Sequence, residues 1–142
     1  MIEPKEINKV ATENKVNDRQ IERDYVLSWV LFAISKNKIL NEAMVFKGGT
    51  VLKKAYMDDY RFSEDLDFTL LDETITNDQI KDEFKKIFVF IREKANIEMQ
   101  IDDKKWTIYE TGSPQFYIDY VGPLKGNMEA GIWKLTSQEE KF

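Results

Sequence analysis

Two short segments constrain the fold of this chain more than any other part of its sequence. The first is Lys47-Gly48-Gly49-Thr50, and the second runs from Arg61 to Phe68 after a spacer of helical length. Residues Asp65 to Leu70 alternate between polar and apolar side chains, and this period of two predicts a β-strand. The paired glycines follow a short apolar run, Ala43 to Phe46, which we interpret as a buried strand leading into a turn. A helix over residues 50–57 would then separate the two strands.

Two longer segments have the periodicity of amphipathic helices. In the first, Asp18 is the expected N-cap, and the polar side carries Glu22, Arg23, Lys36 and Lys38. Its expected core-packing residues are Ile21, Tyr25, Trp29 and Phe32. In the second, Thr76 or Asn77 is the expected cap. Its apolar stripe consists of Ile80, Phe84, Ile87, Phe88 and Ile91.

Several β-like segments follow the second helix. They are Ile97 to Ile101, Trp106 to Tyr109, Phe116 to Val121 and, near the end, Gly131 to Leu135. The order of strand, helix, strand, helix and then several strands predicts an α/β or α+β fold, in which a mixed β-sheet is flanked by helices. The chain has 142 residues, a usual length for one domain, so residues 1–142 are expected to form a single domain.

The composition excludes several classes of function. The chain has no histidine and no cysteine, which rules out thiol nucleophiles, disulfides and zinc sites built on these residues. A net charge of -5 argues against binding nucleic acid over the whole surface, although a local basic rim is compatible with it. No apolar run approaches the length of a membrane span, and the first ten residues are too polar for a signal peptide. We therefore expect a cytoplasmic protein.

The glycine pair has two interpretations. Gly48 and Gly49 could form an ordinary tight turn. Alternatively, backbone N–H groups that no Cβ shields could bind phosphate at the positive end of the following helix. Lys47, Lys53, Lys54 and Arg61 lie nearby and either form a phosphate-binding rim or are simply solvated, and Arg61 is the best candidate of the four. Ser63 either hydrogen-bonds phosphate or ends a turn.

Three aspartates are candidate metal ligands. Asp65 and Asp67 lie two residues apart on the predicted strand, where two like charges about 6.6 Å apart repel by roughly 2 to 3 kcal/mol. A bound Mg²⁺ would remove this repulsion, whereas a solvated strand face is the alternative. Asp119 lies between Ile118 and Tyr120 in a strongly β-forming run. It is either a third ligand or part of an exposed strand face.

The glycine segment and the Arg61-Phe62-Ser63-Glu64-Asp65-Leu66-Asp67-Phe68 segment together resemble the AbiEii/AbiGii toxin family of nucleotidyltransferases, within the DNA polymerase β-like superfamily. The run from Ile21 to Tyr25 is similar to that family's N-terminal helix. The interval between Gly49 and Asp65 is longer than in the minimal superfamily pattern, and Asp119 is matched only by its strand context. A C-terminal helical region usual in the family has no counterpart here, so the chain is expected to be a shortened or degenerate copy.

The resemblance implies a Mg²⁺-dependent nucleotidyltransferase that acts as the toxin of a type IV toxin-antitoxin or phage abortive-infection system. It would transfer NMP from an NTP to an RNA, for example a tRNA, or to a protein, with a cognate antitoxin as a partner. The implied catalytic and metal-holding residues are Asp65, Asp67 and Asp119. The implied nucleotide-binding residues are Gly48, Gly49, Thr50, Arg61 and Ser63. The alternatives are an inactive NTP-binding module that acts through protein contacts and a structural domain whose acidic face is incidental.

Overall fold

The computed structural model describes residues 2–47, 65–72, 74–102, 107–108 and 114–136. Its helices are α1 (Pro4–Asn14), α2 (Asp18–Lys36), α3 (Lys38–Ala43) and α4 (Asn77–Ala95). A proline in the first turn of α1 costs no hydrogen bond, and Lys15 ends that helix in a left-handed conformation with φ 56°. In α4, the Thr76 side chain accepts from Gln79 N, and the Gln79 side chain accepts from Thr76 N, so that a capping box defines the start of the helix.

The described strands form one mixed sheet. They are β1 (Met44–Lys47), β2 (Asp65–Leu70), β3 (Glu98–Ile101), β4 (Thr107–Ile108), β5 (Pro114–Val121) and β6 (Met128–Thr136). The sheet has the order β1-β2-β6-β5-β3, with β4 also paired to β5. Strand β2 runs parallel to β6, and the other pairs are antiparallel. This mixed sheet with helices confirms the predicted fold class.

Helices α2 and α4 pack against one face of the sheet and form the main core with it. Strand β2 contributes Leu66, Phe68 and Leu70, all of which are buried as their alternation predicts. The Phe84 ring of α4 meets the Phe116 ring of β5 edge to face, with centroids 5.2 Å apart. The stripe predicted for α4, from Ile80 to Ile91, is buried as expected. The opposite face of the sheet is therefore the one available for polar side chains.

The orientation of α2 differs from the prediction. Its N-cap is Asn17, whose side chain accepts from Arg19 N, so that Asp18 is the first helical residue. Phe32 is 46% exposed, whereas Glu22, which we expected on the polar side, is fully buried. Of the other predicted core residues, Ile21 is buried, and Tyr25 and Trp29 are partly buried against the core. The buried side also contains Val26, Leu27, Val30, Ala33 and Ile34. Apolar residues surround most of this helix, so periodicity alone did not identify the buried side.

Strand β1 is an edge strand, which corrects the prediction of a buried strand over residues 43–46. Ala43 ends α3, and β1 is bonded to β2 alone among the described strands. Met44 is buried, whereas Val45, on the opposite face of the strand, is 46% exposed. Neither α1 nor α3 was predicted from the sequence. The helix expected over residues 50–57 lies outside the described residues. Among those that are described, no helix combines the length and the apolar character that crossing a membrane requires.

Candidate functional site

The structure brings Asp119 together with two other carboxylates. Asp119 pairs with Gln100 of β3 on one side and with Glu129 of β6 on the other. Asp102 directly follows β3, and its N–H donates to the Tyr117 carbonyl at 2.9 Å, which keeps it beside β5. One carboxylate oxygen each from Asp102, Asp119 and Glu129 lie within 4.8 Å of one another. We call these three residues the acidic cluster.

The acidic cluster has the donor chemistry of a divalent cation site. Its carboxylates are partly buried, so water screens their mutual repulsion less than it would on an open surface. Mg²⁺ and Mn²⁺ prefer oxygen ligands of this kind, and a site with few protein ligands leaves positions for substrate phosphates and water. The three residues fit such an ion and could hold it at the outer face of the sheet.

A hairpin turn explains why two members of the acidic cluster meet. The Lys125 N–H donates to the Gly122 carbonyl at 3.0 Å, which closes a turn with Pro123 at its second position. Lys125 and Gly126 follow with φ values of 64° and 85°, a left-handed pair that returns the chain along β5. Asp119 lies three residues before Gly122, and Glu129 lies three residues after Gly126. The geometry of the turn therefore determines that they become cross-strand partners.

The two aspartates of β2 are described by their backbone only. Asp65 is in register with Gly131 of β6, which is itself in register with Tyr117 of β5. Because Tyr117 and Asp119 belong to the same alternating set, the register assigns Asp65 and Asp119 to the same sheet face. Strand β6 lies between them, and standard strand spacings separate their Cα atoms by about 12 Å. The side chains of Asp65 and Asp67 lie outside the described residues.

The predicted phosphate-binding residues also fall outside the part of the chain that the structure describes. They are Gly48, Gly49, Thr50, Arg61 and Ser63. The described ends that lead into this segment are Lys47, the last residue of β1, and Asp65, the first residue of β2. Lys47 is in register with Asp67, so both ends lie close together on neighbouring strands.

A small groove runs beside the acidic cluster. It has a volume of about 180 Å³ and is lined by residues of β3 and β5 with Asn127 of the turn region. Asp119 and its cross-strand partner Gln100 are among its polar lining residues. Complete ligand pockets usually measure roughly 300 to 1,000 Å³. The groove is therefore large enough for a hydrated ion or part of a nucleotide, and a whole NTP would extend beyond it.

Tyr120, the residue next to Asp119, faces the other side of β5 and is buried in the core. Burial raises the pKa of the Tyr120 phenol, while the Arg23 guanidinium opposes this shift and the Glu22 carboxylate supports it. Tyr120 therefore stays protonated at neutral pH. Charged residues near the start of α2 thus interact with β5 on its core side, opposite the face that carries Asp119.

Sequence reasoning missed Asp102 and Glu129. A signal for Glu129 was present, because the run Gly122-Pro123-Leu124-Lys125-Gly126 between two β-like segments is typical of a hairpin turn. Counting outwards from this turn would have paired Asp119 with Glu129. Asp102 gave no comparable signal, because its position depends on the pairing of β3 with β5.

Comparison with known proteins assigns the family. The chain finds no match among curated proteins. Residues 29–124 match the family described as "Nucleotidyl transferase AbiEii toxin, Type IV TA system". The matched segment covers more than half of the chain and contains α3, β1, β2, α4, β3, β4 and β5. The chain therefore belongs to the AbiEii family of nucleotidyl transferase toxins of type IV toxin-antitoxin systems.

Proposed function

We propose that this protein is a Mg²⁺-dependent nucleotidyltransferase that transfers NMP from an NTP to an RNA, such as a tRNA, or to a protein acceptor. It would act in the cytoplasm as a toxin and be neutralised by a cognate antitoxin. The observation that carries the proposal is the acidic cluster. Its central residue, Asp119, lies on the same face of the sheet as Asp65, according to the strand register. Membership of a nucleotidyl transferase toxin family supports the same reaction class.

The acidic cluster and the β2 aspartates would hold the metal. The Mg²⁺ that these carboxylates would hold would supply charge neutralisation for the triphosphate and polarisation of the α-phosphate. Asp65 and Asp67 would serve the triphosphate side of the site, and Asp102, Asp119 and Glu129 the side of the acceptor. In the intervening strand, β6, the residue at the level of Asp65 is Gly131, which has no side chain.

The segment between β1 and β2 would bind the nucleotide. In this proposal, backbone N–H groups of Gly48, Gly49 and Thr50 contact the triphosphate, and Arg61 and Ser63 contact its outer oxygens. The acceptor hydroxyl oxygen then bonds to the α-phosphorus as the bond to the β-phosphate bridging oxygen breaks. Pyrophosphate leaves, and Asp119 accepts the hydroxyl proton. Histidine is absent from the sequence, so a carboxylate is the natural proton acceptor.

The test is transfer of label from α-³²P NTPs. We expect the wild-type protein to label an RNA or a protein in the presence of Mg²⁺ and to lose this activity in excess chelator. Asp119→Asn should reduce labelling by at least about 100-fold, the lower range of the effect of removing a general base. Asp82→Asn, an exposed residue of α4, is the matched control and should retain full activity.

Two other results would replace the proposal. NTP binding without any transfer would favour the inactive NTP-binding module. If neither binding nor transfer occurs, the acidic face has a structural role only.

A further inference from the structure

The carboxylate of Glu22 connects α2 to the turn between β5 and β6. Glu22 is fully buried, and its Oε2 accepts from the Leu124 N–H at 2.7 Å. Its Oε1 accepts from Arg19 Nη1 at 3.0 Å. The same Arg19 nitrogen donates to the Lys125 carbonyl at 2.7 Å. One ion pair of α2 therefore contacts both a donor and an acceptor of the turn backbone.

The turn lies directly on this carboxylate. A Cβ added to Gly122 would come within 2.8 Å of Glu22 Oε2, closer than real Cβ atoms approach other atoms. Leaving a buried charge without its partners costs several kcal/mol, so the carboxylate holds its donors in place strongly. Leu124 packs against the small cluster of Ile7, Ala11 and Ile21 between α1 and α2, which adds an apolar contact between the turn and the helices.

The position of the turn matters for the acidic cluster. The turn joins β5 and β6 and lies three residues from both Asp119 and Glu129, counted from Gly122 and Gly126. A shift of the turn would change the separation of these two carboxylates, since they are direct cross-strand partners. Tyr120, which is adjacent to Asp119 in the chain, also interacts electrostatically with Glu22 and Arg19 on the core side of the sheet.

We propose that Glu22 is a positioning residue for the metal centre. By holding the β5–β6 turn against α2, its carboxylate sets the separation of Asp119 and Glu129 and thereby the affinity of the acidic cluster for a divalent cation. This inference rests on the proposed function, because it takes the acidic cluster as the cation site. Residues that hold metal ligands in position typically account for about 10- to 100-fold in metal affinity.

The experiment compares two buried glutamates by titrating the intact protein with Mn²⁺ in a calorimeter. Glu22→Gln keeps the size of the side chain but replaces one of two acceptor oxygens with an NH₂ group, which then faces a donor. We expect it to weaken Mn²⁺ binding by about tenfold or more. The matched control is Glu83→Gln, because Glu83 is also a buried helical glutamate with a basic partner three residues away, but it contacts Asn37 and Lys86. This control should bind Mn²⁺ within about twofold of wild type.

Amide hydrogen exchange supplies a second, metal-free measurement. The Leu124 N–H should exchange faster in Glu22→Gln and at the wild-type rate in Glu83→Gln. Equal Mn²⁺ affinity in wild type and Glu22→Gln, together with faster Leu124 exchange, would overturn the positioning role and leave Glu22 with a structural one. Absence of Mn²⁺ binding by the wild-type protein would instead reject the proposed cation site itself.

A milder substitution guards against loss of folding in Glu22→Gln. Arg19→Lys keeps the charge beside Glu22 but removes the planar group that contacts both Glu22 and the Lys125 carbonyl. Its side chain is partly exposed, so the fold should tolerate the change. We expect a smaller loss of Mn²⁺ affinity in the same direction. Wild-type affinity in this variant, with faster Leu124 exchange, would count against the proposal.

Discussion

At the scale of single residues, Phe84 joins α4 to the sheet within the core. It is fully buried, and its ring contacts Phe88 on the same helix as well as Phe116 on the sheet. Phe84→Ala should lower the free energy of unfolding by about 3 to 5 kcal/mol, because it removes buried apolar surface and leaves a cavity. Urea denaturation measures this loss. Val89→Ala, at a residue that is 59% exposed on the same helix, should change the stability by less than about 0.5 kcal/mol.

Glu83 should make stability depend on pH in the acidic range. Its pKa is lowered because the Asn37 amide donates to it at 2.9 Å and the Lys86 ammonium donates at 3.0 Å, while burial opposes the shift. A carboxyl whose pKa is lowered on folding stabilises the protein when it is ionised. This contribution is present above the ordinary pKa of 4.5 and is lost as the pH falls through the lower value of the folded state.

Replacing Glu83 by glutamine should therefore weaken the dependence of stability on pH in the acidic range. Thermal melting from neutral pH to about pH 2 measures the effect. We expect the melting temperature of Glu83→Gln to fall less steeply below pH 4.5 than that of the wild type. Glu42→Gln, at an exposed residue of α3, should melt with the wild-type pH dependence. If the melting temperatures of wild type and Glu83→Gln fell equally steeply below pH 4.5, this would contradict the assigned hydrogen bonds.

At the scale of elements, α4 depends on its capping box. The Thr76 hydroxyl accepts from Gln79 N at 3.1 Å, and the Gln79 side chain accepts from Thr76 N at 2.7 Å. Thr76→Ala should lower the free energy of unfolding by about 1 kcal/mol, because it removes the hydroxyl that accepts from the Gln79 N–H. Ser35→Ala on α2 is the control, since an exposed serine inside a helix gives no cap and alanine favours the helix.

The β5–β6 hairpin is the element that links the core to the candidate site. Its inner face carries Phe116, Ile118 and Tyr120 into the core, while Asp119 and Glu129 lie on the outer face. The same alternation therefore anchors the hairpin on one side and exposes the carboxylates on the other. Because the core side is buried, a register slip would cost much apolar contact. The acidic cluster thus derives its geometry from packing that lies behind it.

At the scale of the whole molecule, the acidic cluster should couple stability to divalent cations. A cation that binds only the folded state at about 100 times its Kd raises the free energy of unfolding by about 2.7 kcal/mol. We expect Mg²⁺ or Mn²⁺ to raise the melting temperature of the wild type. Glu129→Gln should lose most of this response, because it removes one of the three carboxylates.

The same variant should behave differently without metal. In excess chelator, Glu129→Gln should be as stable as the wild type or more stable by up to about 1 kcal/mol, because it relieves repulsion between partly exposed charges. Glu42→Gln should respond to the cation as the wild type does. A wild-type melting temperature that is indifferent to millimolar Mg²⁺ and Mn²⁺ would contradict a cation site at the acidic cluster.

Much of the fold could be read from local patterns in the sequence. Strand β2 and helix α4 have clean periodicities, and the structure gives β2 the predicted bounds, Asp65–Leu70. These patterns are reliable because each apolar residue in them faces the core, so that side-chain burial and chain geometry agree. In α2, by contrast, apolar residues occur on several sides, and the contacts with α4 and the sheet select the buried one.

Part of the candidate site could likewise be predicted from the sequence, and part could not. Because the sequence contains no histidine or cysteine, its composition leaves carboxylates, lysines, tyrosines and hydroxyls for any metal or acid-base chemistry. Its residue pattern also predicted Asp119 as an acidic residue within a β-strand. Only the tertiary structure placed Asp102 and Glu129 beside Asp119 and buried Glu22 beneath the turn. These neighbours come from strand pairing and from a contact between residues 22 and 124. Sequence periodicity reports which way a residue faces within its own element, whereas the partner it meets depends on how separate elements pack.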